Sequence, residues 1–89
     1  MIDHPTFPTV NMNGTARDDL LAQVATAKSA LRIAMDKFRE MTPHGRDYQT
    51  APEGDFEKAR DQHFYRCAKL ETFEQELHEI MLGIYNQRR

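Results

Sequence analysis

Apolar side chains recur along two long stretches of the chain at alternating steps of four and three residues. In the first stretch these positions are Leu20, Val24, Ala27, Leu31, Ala34, Phe38 and Met41. In the second stretch, which one histidine and one arginine interrupt, they are Phe56, Ala59, His63, Arg66, Leu70, Phe73, Leu77, Ile80 and Ile84. Such spacing puts side chains along one face of an α-helix, so each stretch predicts an amphipathic helix with a continuous apolar seam.

The first helix is predicted to span residues 16–41. Thr15 can cap its free N–H groups, and Asp18, three residues later, completes an approximate capping box. Pro43 disfavours the helical conformation at the residue before it, so the helix is expected to end there.

The second helix is predicted to span residues 56–86. Residues 42–54 contain two prolines and two glycines, a composition that is typical of a loop. Asp55 is expected to cap the second helix, and Gly83 is expected to fray its last turn.

Residues 1–14 are predicted to form an extended arm, because Pro5 and Pro8 fix two backbone angles and remove two hydrogen-bond donors. Two interpretations of this arm stay open. It is a disordered tail, or Phe7 and Val10 bind it to a groove of its own chain or of a neighbour.

The whole chain, residues 1–89, is predicted to be a single all-α domain in which an antiparallel helical hairpin covers residues 15–89. Two helices cannot enclose a core, and a chain this short buries only about 60–65% of its unfolded surface. The single cysteine, Cys67, excludes an internal disulfide. Further apolar side chains off the seams would be exposed in a monomer, namely Leu21, Ile33, Met35, Phe64 and Tyr65. We therefore expect a homo-oligomer, at least a dimer that forms a four-helix bundle.

Charge and hydropathy exclude several classes of function. Twelve basic and fourteen acidic residues give a formal net charge of -2, which argues against binding to duplex nucleic acid or to an anionic membrane. No run approaches the roughly 18 apolar residues of a membrane span, and the N-terminus lacks the pattern of a signal peptide. One free thiol and no export signal lead us to expect a cytoplasmic protein.

The predicted loop carries the densest polar cluster of the chain: His44, Gly45, Arg46, Asp47 and Tyr48. Histidine, arginine, aspartate and tyrosine together can stack on a base, bind a phosphate and accept from a ribose hydroxyl or an amine. The glycine would let the backbone approach a ligand. The alternative is a loop held by its own Arg46–Asp47 contacts and a packed Tyr48.

Two further candidate sites lie outside the loop. Thr15 and Arg17 stand where a helix begins, which suits an anion, although a plain helix cap explains Thr15 equally well. His63 and Arg66 fall on the inner stripe of the second helix, where they form either a polar pocket between subunits or a stripe edge with Arg66 reaching water. Two basic residues of the first helix are second candidates, Lys28 and Arg32.

Catalysis and metal binding find no support in the sequence. His63 and Cys67 share a helix face but lack a third ligand, an orienting group and an oxyanion hole. No phosphate-binding glycine loop, paired-cysteine motif or metalloprotease motif occurs. We therefore expect a protein that is not an enzyme and that uses no cofactor or metal.

Two short motifs resemble those of a group of small phage and prophage proteins. The matching stretches are Asn11-Met12-Asn13-Gly14-Thr15, with the following Asp18-Asp19-Leu20-Leu21, and Pro43 to Tyr48. A second aromatic residue often follows the tyrosine in that group, whereas this chain has Gln49 there, so a stacking role shared by two rings is in doubt.

Phage accessory proteins of this build often counter host defence, and some are oligomeric sponges for nucleotide immune signals. The resemblance thus implies a non-catalytic anti-defence protein in the cytoplasm of a bacterial host cell. It would sequester an anionic small molecule, such as a cyclic nucleotide, in sites built between subunits. The alternatives are an inhibitor or adaptor that binds a protein through an exposed helix face, and a small virion or assembly protein.

Overall fold

The computed structural model describes residues 4–87, and in that range the chain forms two long helices and no strand. Helix α1 covers Arg17–Arg39 and helix α2 covers Asp55–Tyr85. A short 3-10 turn, Gly45–Tyr48, lies in the loop between them. The predicted all-α helical hairpin is confirmed. It is elongated, with extents of 62 × 23 × 16 Å.

Helix α1 begins without the predicted cap. Ala16 is the N-cap residue, and no side chain accepts a hydrogen bond at this end, so the assignment of Thr15 as the cap is wrong. The helix ends two residues before the predicted limit. Thr42 then donates its hydroxyl to the carbonyl of Arg39 at 2.6 Å, which satisfies one of the free carbonyls at the helix end.

Helix α2 begins one residue earlier than predicted. Gly54 is its N-cap residue, with φ of 90°, and Asp55 is the first helical residue rather than the cap. A left-handed backbone conformation suits glycine because a side chain would clash with its own carbonyl there. Gly83 lies within the last turn and does not interrupt the helix.

The buried face of α1 is rotated from the predicted seam. Met35 is buried and Leu21 is half-buried, although both were expected to be exposed. Ala27, Ala34 and Met41 are exposed instead. A seam at steps of four and three repeats every 3.5 residues, whereas a straight helix repeats every 3.6, so the two drift apart by about 20° per heptad.

The inner face of α2 agrees with the prediction at His63 and Ile84, which are buried. It differs at Arg66, which is exposed, and at Phe73, which is 49% exposed. The apolar stripe on α2 drifts around the helix as the stripe on α1 does. As a result, half-buried Cys67 packs toward α1 in place of Arg66.

The N-terminal arm packs on the end of α2 of its own chain through Phe7, Pro8 and Val10. The ring of Phe7 sits against Gly83, where a Cβ atom would lie 2.6 Å from Cγ of Phe7. The amide of Gln87 donates to the carbonyl of Pro8 at 2.7 Å and accepts from the N–H of Val10 at 2.8 Å. Of the two interpretations of the arm, the structure supports packing on its own chain. Residues 1–3 lie outside the described residues.

Candidate functional site

The 3-10 turn positions the polar loop at one end of the hairpin, which we call the loop end (residues 42–54). The N–H of Asp47 donates to the carbonyl of His44 at 3.0 Å, and the N–H of Ala51 donates to that of Tyr48 at 3.1 Å. The ring of Tyr48 is half-buried, and its centre lies 5.8 Å from that of Phe56 in the first turn of α2. Tyr48 thus fastens the loop to the second helix.

The polar side chains of this turn point away from the hairpin. His44, Arg46 and Asp47 are exposed, and within residues 4–87 their side chains make no hydrogen bond or ion pair. Of the alternative interpretation of the loop, the Arg46–Asp47 contact is thus not formed, whereas the packed Tyr48 is present. Nothing lies within 4 Å of a Cβ built on Gly45. His44, Arg46 and Asp47, with Tyr48, border an open depression of about 610 Å³.

His63, in the interior of the hairpin, packs against the start of the loop end. Its Nε2 atom lies 3.1 Å from the hydroxyl of Thr42 and 3.5 Å from Sγ of Cys67, and its ring stacks on Phe38 with centres 4.7 Å apart. Because Thr42 donates its own proton to Arg39, its oxygen accepts from His63, which assigns the ring proton to Nε2. With 4% exposure, His63 is a core residue and is closed to a ligand.

The opposite end of the hairpin, where α1 starts and α2 finishes, is the arm end. Arg17 donates to the carbonyl of Tyr85 at 2.5 Å, and its guanidinium carbon lies 4.9 Å from the centre of the Tyr85 ring. Its Nε is buried without a partner in the described residues. Arg17 therefore caps the last turn of α2, whereas Thr15 is exposed nearby. An open depression of about 380 Å³ lies beside them.

Between the two ends, four charged or titratable residues of the facing helices form a groove, which we call the central groove. Nζ of Lys28 lies 3.0 Å from Nδ1 of His78, and Arg32 pairs with Glu74 at 2.9 Å. The groove has a volume of about 480 Å³. Sequence reasoning named the two cations but missed Glu74 and His78. Lys28 and Arg32 are four residues apart on one helix, and Glu74 and His78 are four residues apart on the antiparallel one. This matching spacing could have indicated that the two pairs face each other.

The structure thus divides the predicted site residues rather than gathering them. Thr15 and Arg17 lie at the arm end, His44 to Tyr48 lie at the loop end, and Arg66 is exposed on the side of α2. With an overall length of 62 Å, the hairpin keeps its two ends apart. In the part of the chain that the structure describes, these groups form no common pocket.

The described residues contain neither a metal site nor a membrane-spanning helix. Among residues 4–87, no three histidine, cysteine, aspartate or glutamate side chains are placed to hold a metal ion. Neither α1 nor α2 has the length and hydropathy needed to cross a membrane.

Comparisons with protein families, curated proteins and solved structures give no match to this chain.

Proposed function

We propose that the protein is a non-catalytic binding protein whose loop end takes up an anionic small molecule. The observation that carries this proposal is the state of His44, Arg46 and Asp47. All three are exposed on a loop fastened by Tyr48, and they make no bond with the described residues. Polar groups held in place but unused by the fold are suited to a ligand.

A nucleotide fits this set of groups. Arg46 offers the planar pair of N–H donors that matches a phosphate. Asp47 accepts from a ribose hydroxyl or from the amine of a base, and His44 stacks on a base or donates to it. Because Gly45 has no side chain, the backbone of the turn is open to close approach.

The resemblance to small phage proteins supports a more specific form of the proposal. In that form, the ligand is a nucleotide immune signal, such as a cyclic nucleotide, which the protein sequesters in the cytoplasm of a bacterial host. The depression at the loop end is open toward solvent, so a second subunit would be needed to close it over a bound nucleotide. The assembly proposed below places the loop end beside another chain.

The proposal is tested by thermal shift against cyclic dinucleotides, cyclic trinucleotides and ADP-ribose, followed by titration of whichever compound raises the melting temperature. We expect Arg46→Ala to weaken binding roughly ten- to a hundredfold, because a charge-assisted phosphate contact contributes about 1.5–3 kcal/mol. Its own melting temperature should stay near that of the parent, since Arg46 is exposed.

Arg32→Ala is the matched control, because it removes the same side chain from the central groove. Loss of binding in Arg32→Ala but not in Arg46→Ala would contradict the loop-end site and place the ligand in the groove. Equal binding by both variants and the parent would reject both sites.

A second candidate function is inhibition of a protein, or an adaptor role, through an outer helix face. The observation in its favour is the exposure of three large apolar side chains: Ile33 is 63%, Phe64 is 54% and Tyr65 is 62% exposed. If this function is correct, Phe64→Glu abolishes binding of the protein partner. In addition, no nucleotide changes the melting temperature of the parent or of any variant. A role as a small virion or assembly protein would depend on the same exposed faces.

A further inference from the structure

One side of the hairpin, opposite the central groove, is built from small and apolar residues. Lys28 and Arg32 of α1 face the groove with Glu74 of α2. At about 100° per residue, other positions of both helices turn to the opposite side of the hairpin. We call this side the flat face; Ala27, Ala30 and Ala34 of α1 lie on it with Phe73 and Ile80 of α2. Two basic residues extend it toward the loop end, because Arg66 lies seven residues before Phe73 and Lys37 seven residues after Ala30.

The flat face is not covered by the described chain. Its three alanines are exposed, Phe73 is 49% exposed, and Ile80 is half-buried. In residues 4–87, only two hydrophobic side chains are buried, Met35 and Ile84. The remaining apolar side chains of the hairpin stay partly or largely in contact with water.

The total surface shows how much of the chain remains to be covered. The chain exposes 6954 Å². A compact monomer of its mass, 10.4 kDa, would expose about 5,400 Å². The excess of about 1,550 Å² exceeds the roughly 800 Å² that each partner buries in a protein interface of standard size.

We propose that the flat face binds the flat face of a second copy of the chain, so that two hairpins form a four-helix bundle. The alanines of α1 let the two backbones approach closely, and the aromatic ring of Phe73 gains a covered position. Transfer of apolar area from water favours this pairing by about 25 cal/mol per Å² before the entropy of association is subtracted.

Charges along the flat face determine the direction of pairing. Toward the loop end, α2 presents Arg66 and Lys69, and toward the arm end it presents Glu76. None of the three forms an ion pair within residues 4–87, although Lys69 lies 4.6 Å from the ring of Tyr65. Antiparallel pairing places the basic half of one α2 over the acidic half of the other. Parallel pairing about a two-fold axis would set α2 of one hairpin over α1 of the other and would lose this match of opposite charges.

The first experiment compares two neighbouring positions of α1 by sedimentation velocity. Ala34 lies on the flat face, whereas Ile33 points to the outer side and is 63% exposed. We expect the parent and Ile33→Glu to sediment as dimers at micromolar concentration, and Ala34→Glu to sediment as a helical monomer of 10.4 kDa. If Ala34→Glu loses its helical circular dichroism, Ala30→Glu, one turn away, serves in its place.

A parent chain that stays monomeric up to roughly 100 µM would overturn the proposal, because an interface of standard size gives far tighter binding. So would a dimer that tolerates glutamate at residues 30 and 34 but dissociates in Ile33→Glu. No ligand enters this experiment, so its failure is distinguishable from failure of the proposed nucleotide binding.

The second experiment tests the direction of pairing. Arg66→Glu should weaken dimerisation roughly tenfold, because it sets a carboxylate against Glu76 of the partner subunit. The double variant Arg66→Glu, Glu76→Arg should restore the affinity of the parent. If Arg66→Glu leaves the dimer unchanged or strengthens it, Arg66 does not face Glu76 of the partner subunit, and the antiparallel arrangement is wrong.

Discussion

Gly83 shows how one residue without a side chain joins two parts of the molecule. A Cβ atom there would lie 2.6 Å from Cγ of Phe7, which is closer than carbon atoms approach without displacement. The glycine therefore sits in the helix because the arm crosses it, not because the helix frays. Helix propensity alone would favour alanine at this position by about 1 kcal/mol.

These opposing effects give a prediction for Gly83→Ala. In the parent background, the gain in helix propensity is offset by the displacement of Phe7, and the free energy of unfolding changes by less than about 0.5 kcal/mol. In a Phe7→Ala background, where the ring is gone, the same change should stabilise by about 1 kcal/mol. Urea denaturation of the four variants measures the difference. Equal stabilisation in both backgrounds would show that Phe7 does not pack on Gly83.

His63 and His44 give a second prediction, because they carry the same side chain in opposite surroundings. His63 is 4% exposed and contacts Phe38, Thr42 and Cys67, whereas His44 is exposed. His63→Ala leaves a cavity and should destabilise by about 2–4 kcal/mol. His44→Ala should change stability by less than about 0.5 kcal/mol. Urea midpoints check both values, and a mild effect at His63 would contradict its role as a core residue.

At the scale of the elements, the sequence predicted the existence and approximate extent of both helices but misplaced their ends by one or two residues. Periodicity extends over six or more turns, so it locates a helix well. A cap depends on the conformation of a single residue. Thr15 has a suitable hydroxyl, yet the chain enters the helix at Ala16, and Gly54 rather than Asp55 turns into α2. The entry angle is set by the arm and the loop, which local propensity does not describe.

The start of α2 gives a third prediction. Gly54→Ala places a side chain at φ of 90° and should destabilise by about 1–2 kcal/mol. Gly45→Ala is the matched control, because Gly45 has no positive φ and nothing lies within 4 Å of its added Cβ. It should be neutral or slightly stabilising, since alanine restricts the unfolded chain. Thermal melting at one fixed protein concentration compares them. A Gly54→Ala variant as stable as the parent would contradict the left-handed conformation.

At the scale of the whole molecule, the candidate site was only partly predictable. The polar residues of the loop are adjacent in sequence, so His44, Arg46 and Asp47 were found together. The contacts of Arg17 with Tyr85, and of Lys28 with His78, join residues far apart in sequence and depend on the register of the two helices. The predicted seam, at alternating steps of four and three residues, includes residues of the inner face and residues of the flat face. Periodicity alone does not separate contacts within a hairpin from those between hairpins.

The elongated shape leads to the last prediction. The radius of gyration is 18.6 Å, whereas a compact chain of this length would have about 12 Å. A hairpin that completes its core by pairing gains stability from the partner, so its melting temperature must rise with protein concentration. For a dimer of this size the rise should be about 4 °C per tenfold increase in concentration. Differential scanning calorimetry over a hundredfold range of protein concentration measures it.

Ala34→Glu should melt at a lower temperature that does not depend on concentration, because the separated hairpin unfolds alone. A parent melting temperature that is constant over the same range would show that the hairpin is stable without a partner. The flat face would then be in contact with water in the native protein.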